Sequence, residues 1–505
     1  MPLLKKRRFI HNALMLTIIT LLLRGIGTWF MIYISNQIGS EGIGLYQLTS
    51  SIYLLAVTLA TSGITVAVIR VVSEQFALNN TVSAKKAFKI CFDISLVLGL
   101  LSCAILYVNA EFIGNTLLGD KRTILSLKYL AIGLPFLSTS SVIRGYFLGM
   151  SRPIKSVSTD IVEQMSMIIV TVPILTICLP KGLEYACCGL VLGSTFSEII
   201  SCLYALVLYM CEKNKMTGIE CKGICHKIFS IAAPIAISNY IRSILISLEN
   251  ILIPVGLKQY GATAGEALSN YGMIKGMAMP ILFFPSAILS AFSSLLVPEV
   301  SRANAINAKM RIDFIVNKCF KVTIMFSILI AGIFICYSTE ISVLFYGSKK
   351  VGTILLILAP LVPLMYLDQI VDSILKGLNQ QLSSMKYNTI DSFIRVIIIY
   401  SLVPILGIKG YIIMLYVGTI FNASLSINRL IVVSEVRFRL YEWVMLPVIS
   451  IVISCLFTRV LFICPVVFCV LAVTLIYILL LFIFQCITKR DIRWMKQVFA
   501  RSNIK

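Results

Sequence analysis

Residues 94–108 read ISLVLGLLSCAILYV. No charged side chain interrupts the stretch, and its apolar residues run on instead of alternating with polar ones. Lipid offers no partners for open strand edges, so a chain crosses it as helices or as a closed barrel. A barrel strand alternates over roughly ten residues. This run is continuous and reads as the body of a helix, which needs about 20 apolar residues to cross a bilayer. Similar runs recur along the 505-residue chain, of which 58% is hydrophobic and 13% charged. Soluble globular proteins carry about 25% charged residues. The expected fold class is an all-α integral membrane protein.

Hydropathy places about fourteen spans, near 10–38, 43–69, 88–109, 124–148, 157–179, 185–210, 228–255, 270–297, 317–338, 353–376, 388–406, 409–432, 442–462 and 464–487. Cys464 and Pro465 divide the last two. MPLLKKRRF at the start resembles a signal peptide, but the apolar run after it is too long for one and reads as the first span. Lysines and arginines sort the loops. Lys5, Lys6, Arg7, Arg8, Lys85, Lys86, Arg152, Lys155, Arg302, Arg311, Arg437 and the tail from Lys489 fall on one side, and few fall on the other. The positive-inside bias then puts both termini of this multi-pass membrane protein in the cytoplasm. The net charge of +22 serves topology and anionic lipid headgroups. No basic, aromatic-interleaved domain points to nucleic acid.

The chain repeats. YFLGMSRPIKSVSTDIVEQ from Tyr146 aligns with ILKGLNQQLSSMKYNTIDS from Ile374 at an offset of 228. The same offset pairs Gly119 with Gly347, Pro135 with Pro363 and Glu163 with Asp391, while 225 pairs Tyr46 with Tyr271 and Glu74 with Glu299 earlier in each half. Each repeat holds six spans. An even number keeps the two halves in one orientation, as two bundles related by a pseudo-two-fold axis along the membrane normal. The expected organisation is an N-terminal bundle at 1–212, a cytoplasmic linker at 213–227, a C-terminal bundle at 228–433, and two added helices with a basic tail at 434–505. Two facing bundles enclose a cavity, the architecture of an alternating-access transporter.

Charges inside spans are costly, at least about 2.5–3.5 kcal/mol each, and mark function or water-filled space. Arg24 stands halfway along the first span, in LLLRGIGTWF, with no acid within helical reach. Arg242 sits halfway along the seventh, and Lys275 near the outer end of the eighth. Guanidinium forks grip phosphate oxygens through paired hydrogen bonds. These three residues are the candidate site for a phosphate-bearing anion, which the family likeness below narrows to a diphosphate. The alternative is a structural bridge from Arg24 to Glu249. Gln47, Ser51, Asn239 and Asn250 form the polar lining around it. Arg144, Glu163, Asp372, Asp391 and Arg395 cluster at the cytoplasmic ends as a candidate gate, with local Asp372–Lys376 and Asp391–Arg395 pairs as the simpler reading. Glu163 reads as the one deep acid of the first half. Pro280 and Pro285 should kink the eighth span.

No phosphate-binding G-x₄-G-K-[ST] loop occurs. His11 and His226 are the only histidines. Cys211, Cys221, Cys225 and His226 match no zinc spacing. The expectation is a transporter with no enzymatic activity, metal or cofactor, drawing on an ion gradient, the membrane potential or downhill flow.

IGSEGIGLYQL (38–48), SGITVAVIRVVSEQ (62–75), GMAMPILFFPSAILSAFSSLLVPEVSRA (276–303) and LKGLNQQ (375–381) resemble the stage V sporulation protein B family. This is a polysaccharide-transporter, lipid II flippase-like branch of the multidrug/oligosaccharidyl-lipid/polysaccharide (MOP, MATE-like) exporter superfamily. The likeness spans nearly the whole chain. One departure is Thr65, where relatives often carry proline. The resemblance implies a two-bundle fold around a central cavity and a spore-forming bacterium. It also implies a role in wall or spore-cortex peptidoglycan, with a lipid-linked oligosaccharide or lipid II-like substrate and wall-synthesis glycosyltransferases as partners. The resemblance also implies cavity arginines on spans 1, 2 and 8 or nearby, a pattern that Arg24 matches on span 1. The other readings are a cation-coupled multidrug exporter and a non-transporting partner in wall assembly.

Overall fold

The computed structural model describes residues 2–212, 217–218, 223–306, 308–434, 441–461 and 465–486, with side chains described from Ile18 onward except at positions 291, 294, 295 and 298. The basic side chains from Lys5 to Arg8, His11, most of the 213–227 linker with Cys221, Arg437 and the basic tail lie outside the described residues.

Among the described residues every regular element is helical. The first half contains α1 (Pro2–Thr61), α2 (Ile64–Ala77), α3 (Thr81–Val108), the short turn α4 (Ala110–Phe112), α5 (Ile124–Gly149), α6 (Pro153–Cys178) and α7 (Leu183–Met210). Next come α8 (Ile224–Gln259), α9 (Ala264–Gly272), α10 (Met279–Phe283), α11 (Ser286–Ala305), α12 (Lys309–Tyr346) and α13 (Lys349–Leu358). The last are α14 (Val362–Gly377), α15 (Gln381–Leu406), α16 (Ile408–Val433), α17 (Leu446–Leu461) and α18 (Val466–Ile483). Among the described residues twelve helical stretches are long and apolar enough to cross a membrane. One of them, Ile18–Ala77, contains the chain turn at Gly39 (φ 71°) and so holds two of the expected spans. The segment 264–305 supplies another expected span in broken form, through a π-turn at Met273–Ala278 and a stop at Phe284 and Pro285. The chain is therefore a multi-pass membrane protein.

Glycine and proline set the breaks. A side chain at Gly63 (φ 80°) would run into the Ala232 carbonyl at 2.3 Å, and the helix ends there and restarts as α2. The break beside Thr65 thus falls at Gly63. Thr65 shares a 3.2 Å hydroxyl contact with Ser141. Pro465 caps α18 and separates the last two helices, as read from the sequence.

The chain forms two compact units. One comprises 33–272 with 399–407; the other comprises 1–32, 273–398 and 408–505. In the second, α17 and α18 pack on α12. Tyr337 shares a 2.8 Å hydroxyl contact with Thr458, and Tyr477 donates to the Met325 carbonyl at 2.9 Å. Buried hydroxyls of this kind hold membrane helices together where apolar burial gives no net drive.

The repeat is visible in the backbone of each unit taken by itself. Ser151 and Asn379, 228 residues apart, both adopt positive φ, 57° and 60°. Arg152 N–H donates to the Phe147 carbonyl at 2.9 Å, and Gln380 N–H donates to Leu375 at 2.8 Å. Gly149 lies against Val72 and the Ile69 carbonyl, as Gly377 lies against Val300 and the Val297 carbonyl. Packing thus puts the offset at 228 in α2 and α11 as well, where the sequence comparison gives 225. Three residues are close to one helical turn, so either register keeps the same face apolar; only contacts separate them.

Outside the membrane, Arg122 bonds Asp120 at 2.8 Å and Glu41 at 2.8 Å. Burial pushes the Asp120 carboxyl up, but the hydrogen bonds from Arg122 outweigh it and hold the group below its ordinary value. A depressed carboxyl stabilises the fold above its unfolded pKa of about 4, and the contribution is lost as pH falls through the folded value. Arg122→Leu should therefore cost about 2 kcal/mol at pH 7. The penalty should shrink as thermal unfolding in detergent is repeated at pH values progressively below the ordinary aspartate value of about 4.

Candidate functional site

Polar side chains on α8 zip it to the second arm of α1 and to Ser62 just after it. Asn239 donates to Ser62 at 2.8 Å, Ser243 to Thr58 at 3.1 Å, and Ser247 to the Ser51 carbonyl at 3.0 Å. The helical stretches that carry Ser51 and Asn239 thus share one interface, each with polar residues at helical spacing along a stripe. The interface opens at one end into a cavity of about 340 Å³ lined by Thr58, Thr61, Ser62, Asn239, Arg242 and Ser243. Arg242 is exposed there and has no ion pair among the described residues. Ser51 and Asn250 do not line this space. Both are 5% exposed; Ser51 donates to the Leu48 carbonyl at 2.7 Å and Asn250 accepts from Tyr271 at 3.1 Å. They serve packing, not a ligand. Gln47 is half-buried. Glu249 is buried, with no cation paired to it among the described residues of its unit.

Arg24 belongs to the other unit, on the first arm of α1. Its Nη1 donates to Ser290 Oγ at 2.9 Å, and Gln369 donates to the same hydroxyl. A guanidinium has five N–H donors, and among the described residues no carboxylate of the unit is paired with Arg24. Thr28 returns its hydroxyl to the Arg24 carbonyl at 2.9 Å. Beside Arg24, starting at Gly25, lies an apolar cavity of about 450 Å³ between α1, α10, α12 and α18, with Trp29, Phe284, Phe334 and Val470 on its walls. Lys275 sits half-buried in the π-turn, and no hydrogen bond joins it to Arg24, Ser290 or Gln369 among the described residues. The carbonyls beside this broken stretch are met by Tyr346, which donates to Met277 at 3.1 Å, and by Tyr366, which donates to Leu282 at 2.7 Å.

The charges of the candidate gate are paired inside each unit. Arg144 bonds Asp160 at 2.7 Å and Glu163 at 3.0 Å. Asp372 pairs with Lys376 at 2.5 Å and Asp391 with Arg395 at 2.7 Å, the two local pairs expected. Asp160, one turn before Glu163, completes the Arg144 cluster and is not apparent from the sequence. Glu163 is also not the deepest acid of the first half: its side chain is 31% exposed, whereas Glu198 is 5% exposed. Among the described residues no three His, Cys, Asp or Glu side chains are grouped to hold a metal.

This helical architecture resembles that of solved MATE and MurJ structures. A solved structure titled lipid II flippase MurJ, inward closed conformation, superposes with a TM-score of 0.71 over 97% of this chain and 99% of that one, at 15% identity. An inward-facing multidrug resistance MATE family transporter gives 0.63 over 82% and 97%, also at 15% identity. The profile of the family described as polysaccharide biosynthesis protein matches residues 9–304, and the chain belongs to that family. Stage V sporulation protein B of Bacillus subtilis (strain 168) is 26% identical over 450 residues, covering 87% of this chain and 86% of that protein. Lipid II flippase MurJ of the same organism is 23% identical over 449 residues, covering 82% and 80%.

Proposed function

We propose that this protein is a flippase that carries a polyprenyl-diphosphate-linked cell-wall precursor across the bacterial cytoplasmic membrane by alternating access, in the service of peptidoglycan or spore-cortex synthesis. The observation that carries the reading is Arg24, a cation with one side-chain hydrogen bond among the described residues, next in the chain to Gly25 on the wall of an apolar cavity. A diphosphate on the guanidinium and an isoprenoid tail against α10, α12 and α18 match that pairing of chemistries. Arg242, in the other unit, stands among hydroxyl and amide groups of a chemistry that suits phosphate or sugar. Lys275 adds positive charge. The names of the relatives and the superposition with a flippase support the same reading. Both termini lie in the cytoplasm, and an ion gradient or the membrane potential supplies the energy. The chain itself catalyses no covalent step, and wall-synthesis glycosyltransferases supply or consume its cargo.

Native mass spectrometry of the purified protein tests the specificity. The lipid-linked diphosphate should remain bound, while the free polyprenol and cationic drugs should not. Retention of the drugs with no diphosphate lipid bound would favour a drug exporter.

A further inference from the structure

In the unit 33–272, Glu198 lies near the middle of α7 and is 5% exposed. Tyr53, on the second arm of α1, donates to its Oε1 at 2.5 Å. Oε2 is buried and has no hydrogen-bond partner among the described residues. The titratable and charged groups that act on it are Tyr53 and, beyond it, Tyr46 on α1, Arg144 on α5 and Glu163 on α6. Arg144 is already bonded to Asp160 and Glu163, and Ser201, on α7 with Glu198, donates to Glu163 at 3.3 Å. A carboxylate at Glu198 would be a buried charge with no cation bonded to it, a costly state inside a membrane.

We propose that Glu198, held by Tyr53, is a proton-binding site through which proton movement is coupled to transport. Binding adds one H⁺ from water to Oε2 and turns the carboxylate into a neutral acid; no electron moves. Release leaves a buried anion that competes with Glu163 for Arg144, which ties the proton to the charge cluster at the cytoplasmic end of the bundle. The local packing selects a proton over a metal cation. Gly133 lies so close that a Cβ there would be 2.1 Å from Oε2. Hard cations gather about six or more oxygens, and that wall leaves no room for them. A proton needs only the lone pair.

The coupling part rests on the proposed transport; the proton site does not, and the test separates them. Infrared difference spectroscopy of the whole protein in liposomes should show a protonated-carboxyl C=O band at neutral pH. The band should be absent in Glu198→Gln, which keeps the acceptor for Tyr53, and displaced in Tyr53→Phe. A band that persists in Glu198→Gln, or none in the wild type, overturns the site. In the same liposomes, wild-type translocation of the diphosphate lipid should respond to an imposed pH gradient, and translocation by Glu198→Gln should not. Equal responses overturn the coupling. A sodium dependence that Glu198→Gln removes, in place of the pH dependence, overturns the choice of proton. No translocation by the wild type removes the transport reading and the coupling with it, while the infrared band still decides the site.

Discussion

Arg24→Ala is expected to abolish translocation of the diphosphate lipid while the protein reaches the membrane at its normal level. The guanidinium makes one described side-chain hydrogen bond, to Ser290, and it is exposed, so the fold loses little with it. The substrate loses a charged fork. Charge-assisted hydrogen bonds contribute about 1.5–3 kcal/mol each, so removing a bidentate pair costs about 3 kcal/mol or more, roughly 100-fold in affinity. Arg24→Lys keeps the charge and gives up the fork, and should recover about one decade of that loss. Titration of the lipid against the three forms, with membrane levels measured in parallel, checks the order. Wild-type affinity in Arg24→Ala would remove Arg24 from the site.

The largest effect on folding is expected at Gly272. There α9 crosses the second arm of α1 with backbone against backbone. A Cβ on Gly272 would lie 2.1 Å from the Ser40 carbonyl oxygen and 2.6 Å from the Gly44 nitrogen; one on Gly44 would lie 2.0 Å from the Leu268 oxygen. Neither obstacle is a side chain that can swing away. Overpacking a well-filled site costs about 1–3 kcal/mol for small insertions. Gly272→Ala should fall in that range, and Gly272→Val should exceed it and deplete folded protein from the membrane. Gly25 is the control on the same helix, since a Cβ there meets only Phe284 at 3.9 Å. Gly25→Ala should match the wild type in a thermal unfolding scan in detergent. A Gly272→Val protein that unfolds with the wild type would show that the crossing is looser than described.

What the sequence discloses here is what periodicity and charge can carry. Arg24 declares itself because a cation in an apolar run has few neutral explanations. The repeat declares itself because Gly149, Ser151 and Pro153 fall opposite Gly377, Asn379 and Gln381, positions where the turn constrains the chain in both halves. The partners of Arg24 do not show. Ser290 is one serine among several in its segment, and Gln369 is distant in sequence; only folding brings them to one hydroxyl. Ser51 and Asn250 mislead in the opposite way. They share polar stripes with Thr58 and Asn239, yet a stripe two or three turns long has one end in the cavity and the other packed inside the unit. Glu198 escapes notice because a lone carboxyl in a span carries no mark of its depth, and Tyr53 lies 145 residues away.

The most direct measurement is translocation in liposomes that contain this protein alone, with a fluorescent polyprenyl-diphosphate sugar lipid and an impermeant quencher or enzyme reporting the face reached. The account predicts movement by the wild type and none above protein-free liposomes by Arg24→Ala. Equal movement by both, or none by an otherwise folded wild type, would contradict it.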